Sequence, residues 1–239
     1  MSHSLLVILL LSIAFPLLLL WYINSRNRKP VSAKEYVIAI LFGIAVDGIC
    51  LLIETFVFDV YIFTSIPKSL LECFIASFFR NAFVEEIFKF LGFSALILLL
   101  KNKQVSVFLL YAIGLAAGFS ILENVGNISL ASTQVNSIVA FSLGRIVSVF
   151  LHVALSIISV YFIIMYGYKN RVLCIVCAFL VPFIVHGTHD MIVCMQYYLS
   201  YGVGVIFLCL LIFDAIFFFA AYKLFCQTII NDTLLINQQ

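Results

Sequence analysis

The feature that most constrains this chain is a succession of apolar runs, at about residues 4–23, 35–57, 80–100, 105–126, 138–167, 172–198 and 202–223. Each is close to the length of a bilayer crossing, since about 20 residues of α-helix traverse ~30 Å of hydrocarbon. No water is available there to pair backbone N–H and C=O groups, so a spanning segment of this length satisfies its own by forming helix. A soluble core is excluded by composition. Of the 239 residues, 65% are hydrophobic and 10% charged, against about 45–50% and about 25% in ordinary soluble domains. No stretch is polar enough to form a separate soluble domain, and no repeat, linker or low-complexity segment interrupts the pattern. The expected fold is an all-α, polytopic transmembrane helix bundle of about seven spans, one domain over residues 1–239.

Lys and Arg cluster after alternate spans. Arg26, Arg28, Lys29 and Lys34 follow the first, Lys101 and Lys103 the third, Lys169 and Arg171 the fifth, and Lys223 the seventh. The other connections hold only Lys68. Positive loops stay cytoplasmic, which predicts an outer N-terminus and a cytoplasmic C-terminus. Met1–Ser4 carries no Lys or Arg ahead of the Leu-rich run, so the first span reads as retained rather than as a cleaved signal. Residues 58–79, with Asp59, Pro67, Lys68 and Glu72, read as a loop plus a short interfacial helix or an N-terminal extension of span three. The net charge of +2 gives no basic surface for nucleic acid. The seven cysteines, Cys50, Cys73, Cys174, Cys177, Cys194, Cys209 and Cys226, read as small buried hydrophobes. Cys174 and Cys177 have a redox or metal spacing without a second pair.

Polar residues inside the spans narrow the function. A charge at mid-membrane costs ~2.5–3.5 kcal/mol on insertion scales, so each needs a partner or a purpose. Counting from the positive ends at about 1.5 Å per residue puts Glu85 about 24 Å, Glu123 about 27 Å, His152 about 26 Å and His186 about 23 Å into the membrane. Four spans thus bring titratable groups to one level in its outer part. Glu85 and Glu86 share a helix with Lys89 at i+4 and i+3, and His186 and Asp190 share a face, as do Arg145 and His152 two turns apart. Interhelical polar contacts also serve as glue, the competing account of Lys89 and Arg145. Adjacent carboxylates are poor glue, because like charges repel, and are suited to acid/base work. Asp47, Glu54 and Asp214 read as structural or cavity-lining, and Gly114 with Gly118 as a close-packing motif.

Taken in order, these residues resemble a known family. Glu85-Glu86-Ile87-Phe88-Lys89 matches the EExxK element of the PrsW family, and Gly118-Phe119-Ser120-Ile121-Leu122-Glu123-Asn124 matches its GFxxxEN element. Arg145 with His152, and His186-Gly187-Thr188-His189-Asp190, match its third and fourth elements. Together they cover residues 80–190. His189 departs from the pattern, where an aromatic residue is expected. The resemblance implies an intramembrane protease of the site-1 type, related to the CAAX prenyl endopeptidases and to the scaffold subunit of gamma-secretase. Such proteins cut membrane-anchored substrates such as anti-sigma factors near the outer face.

The expected activity is therefore peptide hydrolysis of a single-span membrane protein within the lipid bilayer. Glu85, Glu86, His152 and His186 are the catalytic candidates. Glu85 is assigned as base toward water with help from His152, while Glu86 pairs with Lys89 or tunes Glu85. Lys89, Glu123, Asn124, Arg145 and Asp190 support the site. His186, Asp190 and Asn124 would orient the scissile carbonyl, and Glu123 would pair with Arg145. No cofactor is expected in this mechanism. In the alternative, Glu85, His152 and His186 bind zinc. A non-catalytic scaffold and a proton-coupled transporter are the other function classes, the latter because Glu/His chains also carry protons.

Overall fold

The structure, a computed structural model, describes residues 32–59, 69–100, 105–131, 138–166, 170–195 and 203–236. It also describes Leu10, Ala14, Leu17, Leu18, Trp21 and Ser25, all helical, in the N-terminal run. The rest of the expected first span, His3, and the charged positions Arg26, Arg28, Lys29, Lys68, Lys101, Lys103 and Lys169 lie outside the described residues.

Among the described residues the architecture is helical. Helix α1 (Ala33–Ile53) runs on into a π-helical segment, Glu54–Asp59. Helix α2 (Leu70–Ile75) continues through a second π-helical segment, Ala76–Phe83, into α3 (Val84–Leu100). Then follow α4 (Val105–Ala131), α5 (Ile138–Tyr166), α6 (Arg171–Met195) and α7 (Val203–Ile236). Ser69 starts the α2–α3 rod by accepting from the Glu72 backbone N–H at 3.2 Å. The segment expected as loop or extension is therefore, from Leu70 on, an extension of the third span. Helix α7 runs well past the expected limit at 223.

Four described helical stretches are long and apolar enough to cross a membrane: Ala33–Phe58, Val107–Asn127, Arg171–Met195 and Gly204–Gln227. Ser148–Ile164 is a shorter apolar stretch. Helix α3 has 17 residues and carries Glu85, Glu86 and Lys89, so charge keeps it outside that set. The sequence reading of seven spans is thus matched at four places by length and composition.

Helix α4 is the central element. Every residue from Leu109 to Ser120 is buried, and 78% of its apolar window is enclosed against 18% for that of α7. It is also the least apolar of the four spanning stretches, as expected of a helix that faces protein rather than lipid. A capping box opens its neighbour α1: Ser32 Oγ accepts from Glu35 N at 3.3 Å, and Glu35 Oε2 accepts from Ser32 N at 3.0 Å. Tyr111 then donates its hydroxyl to Glu35 Oε1 at 2.8 Å, tying α1 to α4.

Small residues let these two helices touch backbone to backbone. A Cβ on Gly43 would meet the Leu115 carbonyl and the Phe119 N–H, and one on Gly118 would meet the Ile40 carbonyl. A Cβ on Gly114 would lie 2.8 Å from that of Ala39. The contacts advance in the same direction along both chains, so α1 and α4 are parallel. The Gly114/Gly118 spacing read from the sequence does mark this approach.

The cysteine reading needs one correction. Cys73 on α2 and Cys194 at the end of α6 form a disulfide across 121 positions of sequence. Both lie in apolar surroundings that spacing alone could not distinguish from packing, and only the fold brings them together. Cys50, Cys174, Cys177, Cys209 and Cys226 are not disulfide-bonded, and Cys174 donates its thiol to the Phe162 carbonyl.

Two outcomes follow. Gly43→Ala and Gly118→Ala each lower stability by about 1–3 kcal/mol, the usual cost of overpacking, because the obstructing atoms are backbone. Gly126→Ala, with nothing within 4 Å, costs far less; reversible denaturation in detergent checks all three. Non-reducing peptide mapping by mass spectrometry joins the Cys73 and Cys194 peptides, and the joined species disappears in Cys73→Ser.

Candidate functional site

The site begins where the second π segment gives way to α3. A π turn inserts a residue into the helical repeat and so resets the face that the following turn presents; such turns recur at functional sites. Directly after it, Glu85 is 7% exposed, Glu86 5% and Lys89 5%, so three charged side chains enter the bundle from consecutive turns. His152 on α5 and His186 on α6 meet them, and both are buried. The closeness of α6 to the π segment depends on Gly187, where a Cβ would lie 2.5 Å from the Phe78 ring.

Lys89 stands at the middle. Its Nζ donates to Glu85 Oε2 at 3.1 Å, to Glu86 Oε1 at 2.9 Å and to His152 Nδ1 at 2.9 Å. These use all three donors of an ammonium. The same nitrogen lies 4.0 Å from the centroid of the Phe119 ring, a cation–π contact in a desolvated setting.

Each histidine is held from behind by a carboxylate. His152 Nε2 lies 2.9 Å from Glu123 Oε2 on α4, so the network assigns its proton to Nε2 and leaves the Nδ1 lone pair toward Lys89. His186 Nδ1 lies 2.8 Å from Glu86 Oε1. Its Nε2 then faces Glu85 Oε2 at 3.8 Å and Asp190 Oδ1 at 3.7 Å. The two imidazole rings stand edge to face with centroids 5.2 Å apart.

The supporting residues form an outer ring. Arg145 Nη2 is 2.5 Å from Glu123 Oε1, an ion pair in which that nitrogen makes no well-directed hydrogen bond. Arg145 Nε donates to Asn124 Oδ1 at 2.9 Å. Asn124 is fully buried, and among the described residues its Nδ2 has no acceptor. A buried donor left open in this way is uncommon and calls for an explanation. Asp190 Oδ2 accepts from Asn81 Nδ2 at 3.1 Å.

The structure thus brings Glu85, Glu86, Lys89, Glu123, Asn124, Arg145, His152, His186 and Asp190 into one connected polar network drawn from α3, α4, α5 and α6. It turns His189 elsewhere: its Nδ1 lies 2.9 Å from Asp214 Oδ1 on α7. Asp214, read as structural or cavity-lining, is the partner of His189. Sequence reasoning missed Asn81 and Phe119. Asn81 lies one turn before Glu85, which is the only signal it gave. Phe119 was quoted within its motif and given no role.

The residues also fit a divalent metal. Glu85, His152 and His186 each offer a ligand atom, and these atoms all lie within 4.8 Å of one another. One carboxylate and two imidazoles is a donor set found at catalytic zinc sites. The hold of Glu123 on His152 and of Glu86 on His186 is the outer-shell support that such ligands need.

The family model described as PrsW family intramembrane metalloprotease matches residues 32–220. No curated protein and no solved structure matches the chain. The match spans most of the sequence, and the chain belongs to the PrsW family.

Proposed function

We propose that this PrsW-family chain is an endopeptidase that cuts membrane-anchored, single-span proteins of the anti-sigma type near the outer membrane face, using water activated by Glu85 and His152. The observation that carries the reading is the convergence of Glu85, Glu86, His152 and His186 from three helices into one buried cluster. Structural glue would not need two adjacent carboxylates and two oriented imidazoles.

Hydrolysis requires a base for water, stabilisation of the oxyanion and a proton for the leaving amine. In this mechanism Glu85 takes the proton from water as the oxygen attacks the scissile carbonyl carbon, with His152 helping through the Lys89 ammonium from which both accept. The open Nδ2 of Asn124 donates to the oxyanion, together with the Nε2–H of His186 as the imidazolium, the form in which both ring nitrogens donate. Glu85 then returns its proton to the leaving nitrogen as the C–N bond breaks. Glu86 accepts from the Nδ1–H of that imidazolium and shares Lys89, and Asp190, held by Asn81, orients the His186 ring. Glu123 and Arg145 keep His152 in register. Exclusion of bulk water strengthens each of these electrostatic contacts.

A second reading is favoured by the Glu85, His152 and His186 triad. These residues would hold zinc, which polarises a carbonyl and makes a bound water nucleophilic at neutral pH.

We place the protein in the plasma membrane with its N-terminus outside. The disulfide supports that orientation. Cys194 lies at the end of α6 opposite Arg171, and Cys73 at the end of the α2–α3 rod opposite Leu100. Both are remote from the positive loops, on the side where disulfides persist.

The test is purified full-length protein incubated with a panel of single-span substrates, wild type beside Glu85→Gln, Glu86→Gln and His186→Ala, with folding checked by monodispersity. Loss of cleavage by about a hundredfold or more in the folded Glu85→Gln variant is expected for a missing general base. Equal cleavage by all four would remove this active site. Activity that survives chelation supports the glutamate mechanism, and activity lost to chelation and restored by zinc supports the metal reading.

A further inference from the structure

Lys89 and a divalent metal would claim the same lone pairs. Of the three residues whose ligand atoms converge, Glu85 and His152 are both hydrogen-bonded by the Lys89 ammonium, at 3.1 Å and 2.9 Å. The contact to His152 is through Nδ1, the one ring nitrogen that Glu123 leaves open. An ammonium within 3.1 Å of both ligand atoms leaves no place for a second cation beside it, since the two positive charges would repel strongly in this desolvated core.

The structure also shows where the ammonium can go. A cavity of about 20 Å³ lies between α3, α4 and α5, lined by Lys89, Glu86, Phe93, Leu115, Ser156 and Ser159. It is large enough for about one water by the usual measure, and so for an ammonium head. Glu86 borders both the cavity and the cluster. A rotation of the flexible lysine stem would therefore carry Nζ away from Glu85 and His152 and toward the two serine hydroxyls, without leaving the reach of the Glu86 carboxylate.

We propose that Lys89 and a divalent cation are alternative occupants of one position, with the Glu86–Ser156–Ser159 cavity as the berth for the displaced ammonium. The inference rests on the assignment of Glu85, His152 and His186 as the reacting groups, and gives Lys89 a further role, that of setting the metal affinity of the site. With Lys89 inward the cluster is a metal-free glutamate/histidine site. With Lys89 in the cavity, Glu85, His152 Nδ1 and His186 Nε2 are open to a metal. The state is then set by the concentration of free metal.

The experiment is a cobalt titration of the intact protein in detergent, followed by the visible absorption of bound Co²⁺ and repeated with zinc as competitor. Wild type, Lys89→Met, Ser156→Val and Glu85→Gln are compared, each checked for monodispersity. Removing two charge-assisted hydrogen bonds from the ligand atoms tightens cobalt binding in Lys89→Met on the order of a hundredfold. Ser156→Val fills the cavity, confines Lys89 to the cluster, and weakens binding relative to wild type. Glu85→Gln abolishes binding. Equal affinities for wild type and Lys89→Met, or for wild type and Ser156→Val, would overturn the proposal, as would absence of binding in both wild type and Lys89→Met. If Lys89→Met is not monodisperse, the Ser156→Val comparison decides alone. No substrate enters the measurement, so it can succeed or fail independently of the peptidase assay.

Discussion

A lysine ammonium buried in the core of a membrane protein has to be neutralised where it stands, and much of the site follows from how this is done. Lys89 takes two carboxylates from its own helix and one imidazole from α5, with an aromatic face from α4 beneath it. Those partners then need partners. Glu86 reaches His186, His152 reaches Glu123, and Glu123 reaches Arg145. Each link fixes the next, so four helices are held in register by a chain of charges rather than by apolar packing, which lipid could supply equally well. Breaking one link of such a network leaves a buried charge behind, and that is far more costly than the net gain from any single pair.

The network can be this exact because its walls are stiff. Helices α1 and α4 meet through Gly43 and Gly118 with backbone atoms in contact, and an approach without intervening side chains has no rotamers to rearrange. Phe119, one residue beyond Gly118, is thereby fixed under Lys89. Gly187 performs the same service on the other side, admitting the Phe78 ring and bringing α6 against the helix that carries Glu85 and Glu86.

Much of this was legible in the sequence because membranes make polar residues conspicuous. Glu85, Glu123, His152 and His186 stand out against apolar runs, and helical rise counted from the Lys and Arg clusters is enough to put them at one level. Gly114 and Gly118 were legible for the same reason, as small residues at a helical repeat. What escaped was whatever resembles its background. Cys73 and Cys194 are apolar in character and far apart in sequence. Asn81 lies in a π segment, and nothing local in the sequence announces the change of helical repeat. His189 and Asp214 are on different helices, and their pairing depends on how α7 lies against α6. Length and composition match the seven expected crossings at four places among the described residues, because α3 carries too much charge to qualify and most of the N-terminal run lies outside those residues.

The Cys73–Cys194 bond has a consequence for traffic. An intramembrane peptidase has to admit its substrate from the lipid between two of its own helices, and the gap between the α2–α3 rod, which carries Glu85, and α6, which carries His186, is one such place. A covalent latch closes that gap at one end of the helices. While the bond is intact, those two elements can splay only below it, as a hinge opens away from its pin. Any wider doorway has to lie between other helices.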